Sequence, residues 1–206
     1  MPSQLAIDCA PNASASARGV WPSSVTQNVA VRFATSPLWE TMAAVRTFVA
    51  GGQGGAYHAP WHTAVAERRA RLDLAPLLAT QPRHGYVPDF LTPPPVAPAP
   101  RLRDQLAALR ATPPAHAREE LLRCRRDARS PLDTELLDAL AAALERALTL
   151  LADGLHDAWR ELVAPFWPRI RALLDGDIDH QSRLLARHGL RRLFDELHPT
   201  IGWTER

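Results

Sequence analysis

The amino-acid sequence predicts an all-α protein, an irregular helical bundle with a proline-rich strap and one long kinked helix. Three observations predict this class. Apolar residues recur every three or four positions over much of the chain, which is typical of amphipathic helices. The alternation typical of strands is nearly absent except at the termini. A run of prolines lies between the helical stretches and imposes extended backbone there.

The first helix is predicted over residues 36–49. Ser36 is a favoured N-cap residue, and Pro37 suits the first helical position because its missing N–H is not needed there. A glycine-rich loop over residues 51–55 ends this helix. Two further helices are predicted before the strap, at residues 61–71 and 74–78.

The proline strap is predicted over residues 84–100. Its first twelve residues, 84–95, include four prolines, so this segment cannot form a long helix. Tyr86, Phe90 and Leu91 are nevertheless too apolar for a solvated linker. We therefore expect the strap to be ordered and to lie over a hydrophobic core.

The helical pattern resumes at Leu102 and is interrupted at Pro113-Pro114. Ser130-Pro131 then repeats the cap-and-proline start, and the longest helix of the chain is predicted from there. One continuous apolar stripe marks its buried face: Leu136, Leu137, Leu140, Leu144, Leu148, Leu151, Leu155, Trp159 and Leu162. Pro165 and Pro168 are expected to kink it, and a further helix with Gly189 as its C-cap follows.

The composition indicates an ordinary globular protein without a strong charge signature. The formal net charge is +2, and all 24 basic residues are Arg, a coding bias that indicates a GC-rich bacterial genome rather than a nucleic-acid partner. Cys9 and Cys124 lack the spacing of a metal or disulfide framework. No apolar run is long enough to span a bilayer, so a cytoplasmic protein without membrane contact is expected.

No pattern in the sequence indicates catalysis, so no catalytic residue, metal ligand or cofactor is predicted. His58 and His62 have the spacing of two ligands on one helix, and a second cluster comprises Asp175, Asp177, Asp179 and His180. Neither cluster has a recognisable third and fourth ligand. A small helical metal-dependent hydrolase that uses one of these clusters remains the alternative.

Large aromatic side chains are the best candidates for a ligand site. They occur on predicted helix faces and on the strap, where kinked helices can enclose an apolar cavity. The alternative is that they fill the core. The predicted ligand-binding residues are Trp39, Trp61, Tyr86, Phe90, Trp159 and Trp167.

Four segments resemble the helical N-terminal region of actinobacterial ArsR-like transcription factors, which bind DNA through a winged helix-turn-helix. They are residues 36–41 (SPLWET), 72–78 (LDLAPLL), 85–94 (GYVPDFLTPP) and 167–169 (WPR). The resemblance covers residues 29 to 203, and the GYVPDFLTPP segment is its most specific part. It implies a sensory or dimerisation domain, and it assigns no ligand-contacting residue.

This resemblance also implies a domain organisation. Residues 1–28 are expected to be a flexible tail, residues 29–200 the helical sensory or dimerisation domain, and residues 201–206 the start of a β-rich and winged-helix region that is missing here. The expected partners are a second copy in a homodimer, a small apolar ligand, and DNA only through the absent C-terminal domain. A stand-alone interaction or ligand-binding bundle, with the stripe over residues 136–162 as a dimer seam, is the other alternative.

Overall fold

A computed structural model of the chain describes residues 4–8, 30–49 and 55–197. It confirms the all-α class and the ordered strap. Most of the described residues are helical, and the strands in this part of the chain form one short antiparallel pair. The helices are α1 (Pro37–Arg46), α2 (Gly55–Arg69), α3 (Ala75–Ala79), α4 (Leu102–Arg110), α5 (Pro114–Arg125), α6 (Pro131–Ala142), α7 (Leu144–Ala158) and α8 (Trp167–Leu197). None of the helices in the described residues combines the length and the apolar character that crossing a bilayer requires.

The chain divides into two compact units. The larger unit comprises Ser36–Ala172, and the smaller one comprises Met1–Thr35 together with Leu173–Arg206. The domain predicted over residues 29–200 therefore includes parts of both units. The predicted C-terminal segment 201–206 lies outside the described residues, as does most of the glycine-rich loop.

In the smaller unit, β1 (Gln4–Asp8) pairs antiparallel with β2 (Ala30–Ala34), and Ala6 is paired with Arg32. This strand lies inside the stretch predicted to be a flexible tail, so that prediction does not hold for residues 4–8. The sequence offers only five residues of weak alternation there, and such a short strand is specified by its pairing partner rather than by its own pattern. Residues 9–29 lie outside the described residues.

The core of the larger unit is built from α1, α3 to α7 and the strap, with Val65 contributed by α2. Ser36 is the N-cap of α1, as predicted, and its hydroxyl accepts a hydrogen bond from the Trp39 amide. Gln105 on α4 secures this start, because its amide nitrogen donates to the Ser36 hydroxyl at 2.7 Å and its oxygen accepts from the Leu38 amide. A buried side-chain network therefore joins the first turn of α1 to α4.

The predicted long helix is present, but its start is different. Ser130 caps a separate helix, α6, which ends before Ala143, where the backbone turns to φ −131° and ψ 63°. Helical conformation then begins at Leu144 and continues through α7 and two irregular turns into α8. No Gly or Pro marks the break, and the apolar spacing continues across it because α6 and α7 bury their apolar faces in the same core.

The predicted kink near Pro165 and Pro168 is confirmed. After α7 the chain forms a π-helical segment, Trp159–Val163, and then a 3₁₀ turn, Ala164–Phe166, before α8 begins. Proline lacks the N–H that a continuous α-helix needs, so the hydrogen-bond register changes where Pro165 enters. A second irregularity lies at Gly189 in the smaller unit, where φ is +75°.

Candidate functional site

Two carboxylates hold the strap, one on α5 and one just after the end of that helix. The backbone N–H of Phe90 donates to Glu120 Oε2 at 2.9 Å, and the backbone N–H of Tyr86 donates to Asp127 Oδ2 at 2.9 Å. The Glu120 side chain is only 7% exposed, and its other oxygen lies 2.7 Å from Nε2 of His116. The strap therefore depends on charged acceptors, which form stronger hydrogen bonds than neutral ones.

Tyr86 is the most highly connected residue of the strap. Its hydroxyl donates to Asp89 at 3.0 Å, and the Arg123 guanidinium lies 3.9 Å from the centre of its ring. Burial, with a further contribution from the Asp89 carboxylate, raises the pKa of Tyr86 to about 12. The ring thus carries a cation on one face, and its hydroxyl stays protonated at neutral pH.

Three of the six predicted ligand-binding aromatics lie at the kink. The Trp61 indole N–H donates to the backbone oxygen of Leu162 at 3.2 Å, inside the π-helical segment. The rings of Trp159 and Trp167 meet edge to face, with centroids 5.0 Å apart. These side chains brace the irregular backbone, and Trp61 hydrogen-bonds a carbonyl where the regular helical pattern changes.

The other three predicted aromatics lie elsewhere. Tyr86 and Phe90 belong to the strap, and Phe90 is buried in the core. Trp39 on α1 is 42% exposed and is not part of the core cluster. None of the six residues lines the apolar groove that is described below for the larger unit, so their role in ligand binding stays a prediction.

A substitution at Trp61 tests the role of its indole at the kink. Trp61→Phe keeps an aromatic ring but removes the donor to the Leu162 carbonyl, so we expect the free energy of unfolding to fall by about 1–2 kcal/mol. Urea titration followed by circular dichroism measures this change. The matched control is Trp39→Phe at an exposed position, which should stay within about 0.5 kcal/mol of the wild type. Equal effects of the two substitutions would contradict the bracing role.

Two clusters of His and Asp residues belong to the alternative interpretation as a metal-dependent hydrolase. Among the residues that the structure describes, no group of three or more His, Cys, Asp or Glu side chains could hold a metal ion. The His62 ring packs edge-on against Phe48 and Trp61 instead. Burial and the neighbouring His58 lower the pKa of His62, which favours a neutral aromatic role at neutral pH.

Cys124 is the one cysteine whose environment the structure describes. Its thiol is fully buried in the core and lies 3.7 Å from the Thr80 carbonyl oxygen. Burial, together with the carboxylates of Asp127 and Asp133, raises the pKa of the Cys124 thiol to about 12. A nucleophilic cysteine needs a lowered pKa and access to solvent, so Cys124 has the character of a core residue.

An open apolar groove of about 330 Å³ lies where α6 meets α7, in the larger unit. Its wall is almost entirely apolar, and Arg146 is the one charged residue on it: the lining is Pro76, Leu136, Ala139, Leu140, Ala143, Arg146, Ala147 and Leu150. Sequence reasoning missed this site. Leu132 and Leu150 lie outside the predicted stripe, and their positions beside it were the available clue.

Most of the stripe predicted as a possible dimer seam lies inside the protein. Leu137, Leu148, Leu151, Leu155 and Leu162 are all buried in the core of the larger unit. The apolar surface that α6 and α7 leave exposed to a partner is the groove and the exposed leucines next to it. Leu132 is 62% exposed and Leu150 is 50% exposed.

The candidate site is therefore the groove between α6 and α7, and the aromatic residues and the strap provide the frame that supports the bundle. The chain matches no known protein family, no curated protein and no solved structure.

Proposed function

We propose that this chain is a cytoplasmic sensory or dimerisation domain of an ArsR-like transcription regulator that contacts DNA through a separate winged helix. The proposal is supported by the use that the fold makes of the resembling segments. Ser36-Pro37 begins α1, and residues 85–94 form the clamped part of the strap. Leu74 and Leu77 lie in the core, and Trp167 stands at the kink.

The ordered structure of the strap gives the proposal its strongest support. The GYVPDFLTPP segment is the most specific part of the resemblance. In the structure Gly85 adopts a positive φ, and the backbone N–H groups of Tyr86 and Phe90 donate to carboxylates. A segment that only linked two domains would not need a buried carboxylate to receive its backbone N–H. The residues that carry the resemblance therefore help to hold the strap in place within one folded unit.

Such a domain would regulate by coupling. A second copy or an apolar ligand that binds one arrangement of the domain more tightly would shift the population of that arrangement, and with it the spacing of two winged helices on DNA. The effect cannot exceed the difference in affinity for the two arrangements. The open groove offers an apolar surface on which such a partner can act.

The test is DNA occupancy by the natural gene product in its cell. We expect crosslinking and sequencing to enrich a small number of genomic sites, and the purified 206-residue chain to show no sequence-specific gel shift by itself. Absence of enriched sites in the cell would overturn the proposal. Nanomolar, sequence-specific binding by the 206-residue chain would overturn the assignment of DNA contact to a separate winged helix.

A stand-alone interaction bundle is the second candidate function, and the exposed leucines beside the groove favour it. Monomeric proteins seldom expose contiguous apolar surface unless it binds something. This candidate predicts self-association or partner binding without any genomic enrichment. The occupancy experiment therefore separates the two functions.

A further inference from the structure

Within the described kink, the backbone carbonyl of Leu162 receives no hydrogen bond from its own helix. A regular α-helix would supply the N–H four residues later, but the 3₁₀ turn Ala164–Phe166 directs that N–H to the carbonyl three residues before it. The residue three positions after Leu162 is Pro165, which has no N–H, and the N–H of Trp167 donates to the oxygen of Ala164. The main-chain positions that could reach the Leu162 oxygen are therefore not available to it.

The missing donor comes from another helix. The indole N–H of Trp61 on α2 donates to the Leu162 oxygen at 3.2 Å. Leu162 is fully buried, and a buried carbonyl that loses its donor costs the full free energy of its desolvation. The kink between α7 and α8 therefore depends on a side chain that α2 holds in place.

Helix α2 is itself attached to the larger unit by few contacts. Among the described elements, its main contact is with the π-helical segment, and Val65 is the one α2 residue in the buried core. A further attachment is Phe48, two residues after the end of α1. The Trp61 and His62 rings lie 5.5 and 4.9 Å from the centre of its ring, and the Arg69 guanidinium lies 5.3 Å from it. Three α2 side chains therefore meet on one aromatic ring.

We propose that α2 is a detachable clamp, and that its docking on the π-helical segment controls how readily the junction between α7 and α8 opens. When α2 is docked, the Trp61 indole satisfies the Leu162 carbonyl and the irregular backbone stays closed. When α2 leaves, this carbonyl loses its donor, and the segment opens to obtain a hydrogen bond from water. A helix with few buried contacts can leave at a free-energy cost below that of global unfolding.

The clamp lies where a local change can be passed along the chain. Helix α8 begins at Trp167, directly after the irregular backbone, and continues beyond Ala172, where the larger unit ends. A ligand or partner that binds docked and undocked α2 with different affinities shifts the balance between a closed and an open junction. The inference goes beyond the proposed regulatory role, since it makes no use of a DNA-binding region.

Hydrogen exchange of the full 206-residue chain, followed by mass spectrometry, tests the clamp. Phe48→Ala removes the ring on which α2 docks and leaves every residue of the kink unchanged. We expect it to speed amide exchange about tenfold in α2 and also over Trp159–Trp167, while exchange in α5 stays slow. Arg69→Ala removes only the guanidinium over that ring, so it is the milder second variant and should give smaller increases in the same two regions.

A second set of variants shows whether the two regions communicate through the indole. In a Trp61→Phe background the Leu162 carbonyl has already lost its donor, so Phe48→Ala should speed exchange in α2 without a further increase at the kink. Trp39→Phe is the matched background, in which the increase at the kink should persist.

Three results would overturn the clamp. One is faster exchange in α2 with no change over Trp159–Trp167 in either Phe48→Ala or Arg69→Ala. Another is an equal increase at the kink in the Trp61→Phe and Trp39→Phe backgrounds, because the effect would then bypass the indole. The third is a uniform increase over the whole larger unit, because α2 would then leave only by global unfolding. Genomic occupancy is measured separately, so failure of the clamp differs from failure of the proposed function.

Discussion

A Gly85→Ala variant is expected to lose about 2–4 kcal/mol of unfolding free energy, one of the two largest single-residue effects that we expect in this chain. Gly85 has φ +107°, a conformation that residues with a side chain rarely adopt. A Cβ atom there would overlap the Asp127 carboxylate. The same carboxylate accepts the Tyr86 N–H, so the methyl group cannot be accommodated without loosening the strap.

The measurement is urea unfolding of the purified chain, with a double-mutant cycle to separate the two causes. Asp127→Ala removes the overlapping carboxylate, so the double variant G85A/D127A should cost less than the sum of the two single changes. Gly176→Ala is the control, because this helical glycine has open space around its Cβ position and the change should be neutral or slightly stabilising. Strict additivity in the cycle would show that only backbone strain matters at Gly85.

Local chemistry explains which parts of the fold were predictable. The starts of α1 and α6 were predicted because the signal is local. The serine side chain accepts a backbone N–H of the first helical turn, and the proline after it needs no hydrogen-bond partner there. The kink was predicted because Pro165 cannot donate the N–H that helix continuation needs. The strap was predicted because its prolines exclude a helix, while its aromatic residues exclude a solvated linker.

Long-range packing explains the rest. Nothing local distinguishes Ala143 from the alanines before it, so the separation of α6 from α7 was not visible in the sequence. The apolar spacing is equally regular on both sides of the break, because each helix buries its stripe in the same core. Periodicity specifies which residues share a face, but the neighbouring elements decide where the backbone turns.

The candidate site shows the same limit. Large aromatic residues led to the prediction of a ligand pocket, and the structure shows structural contacts for two of them: Trp61 donates a hydrogen bond to the Leu162 carbonyl, and the Arg123 guanidinium lies over the Tyr86 ring. The groove is instead formed by small and aliphatic side chains, which have no distinctive chemistry in a sequence. Leu148 and Leu150 are two residues apart and therefore face opposite sides of α7, so periodicity separates the buried leucine from the exposed one but does not show that the exposed one borders a groove.

Replacing Glu120 with alanine is expected to cost about 2–3 kcal/mol of unfolding free energy, because it removes the charged acceptor of the Phe90 N–H. Phe90 is buried, so its amide has no access to water as a substitute partner. His116 contributes less, because its ring is more than half exposed and its pairing with Glu120 is screened by solvent. The loss should therefore arise from the strap rather than from the α5 surface.

Glu120→Gln is the matched variant, since it keeps an oxygen that can accept the Phe90 N–H and should stay within about 1 kcal/mol of the wild type. Limited trypsin digestion localises the effect, because the exposed Arg83 and Arg101 lie on either side of the strap. We expect faster cleavage after these two residues in Glu120→Ala than in Glu120→Gln.

If both variants lose the same stability and are cleaved at the same rate, the His116 pairing or the negative charge holds the strap, and the backbone hydrogen bond does not. Cleavage rates that stay at the wild-type level in both variants, despite a loss of stability, would instead show that Asp127 and the buried Leu91 hold the strap without Glu120.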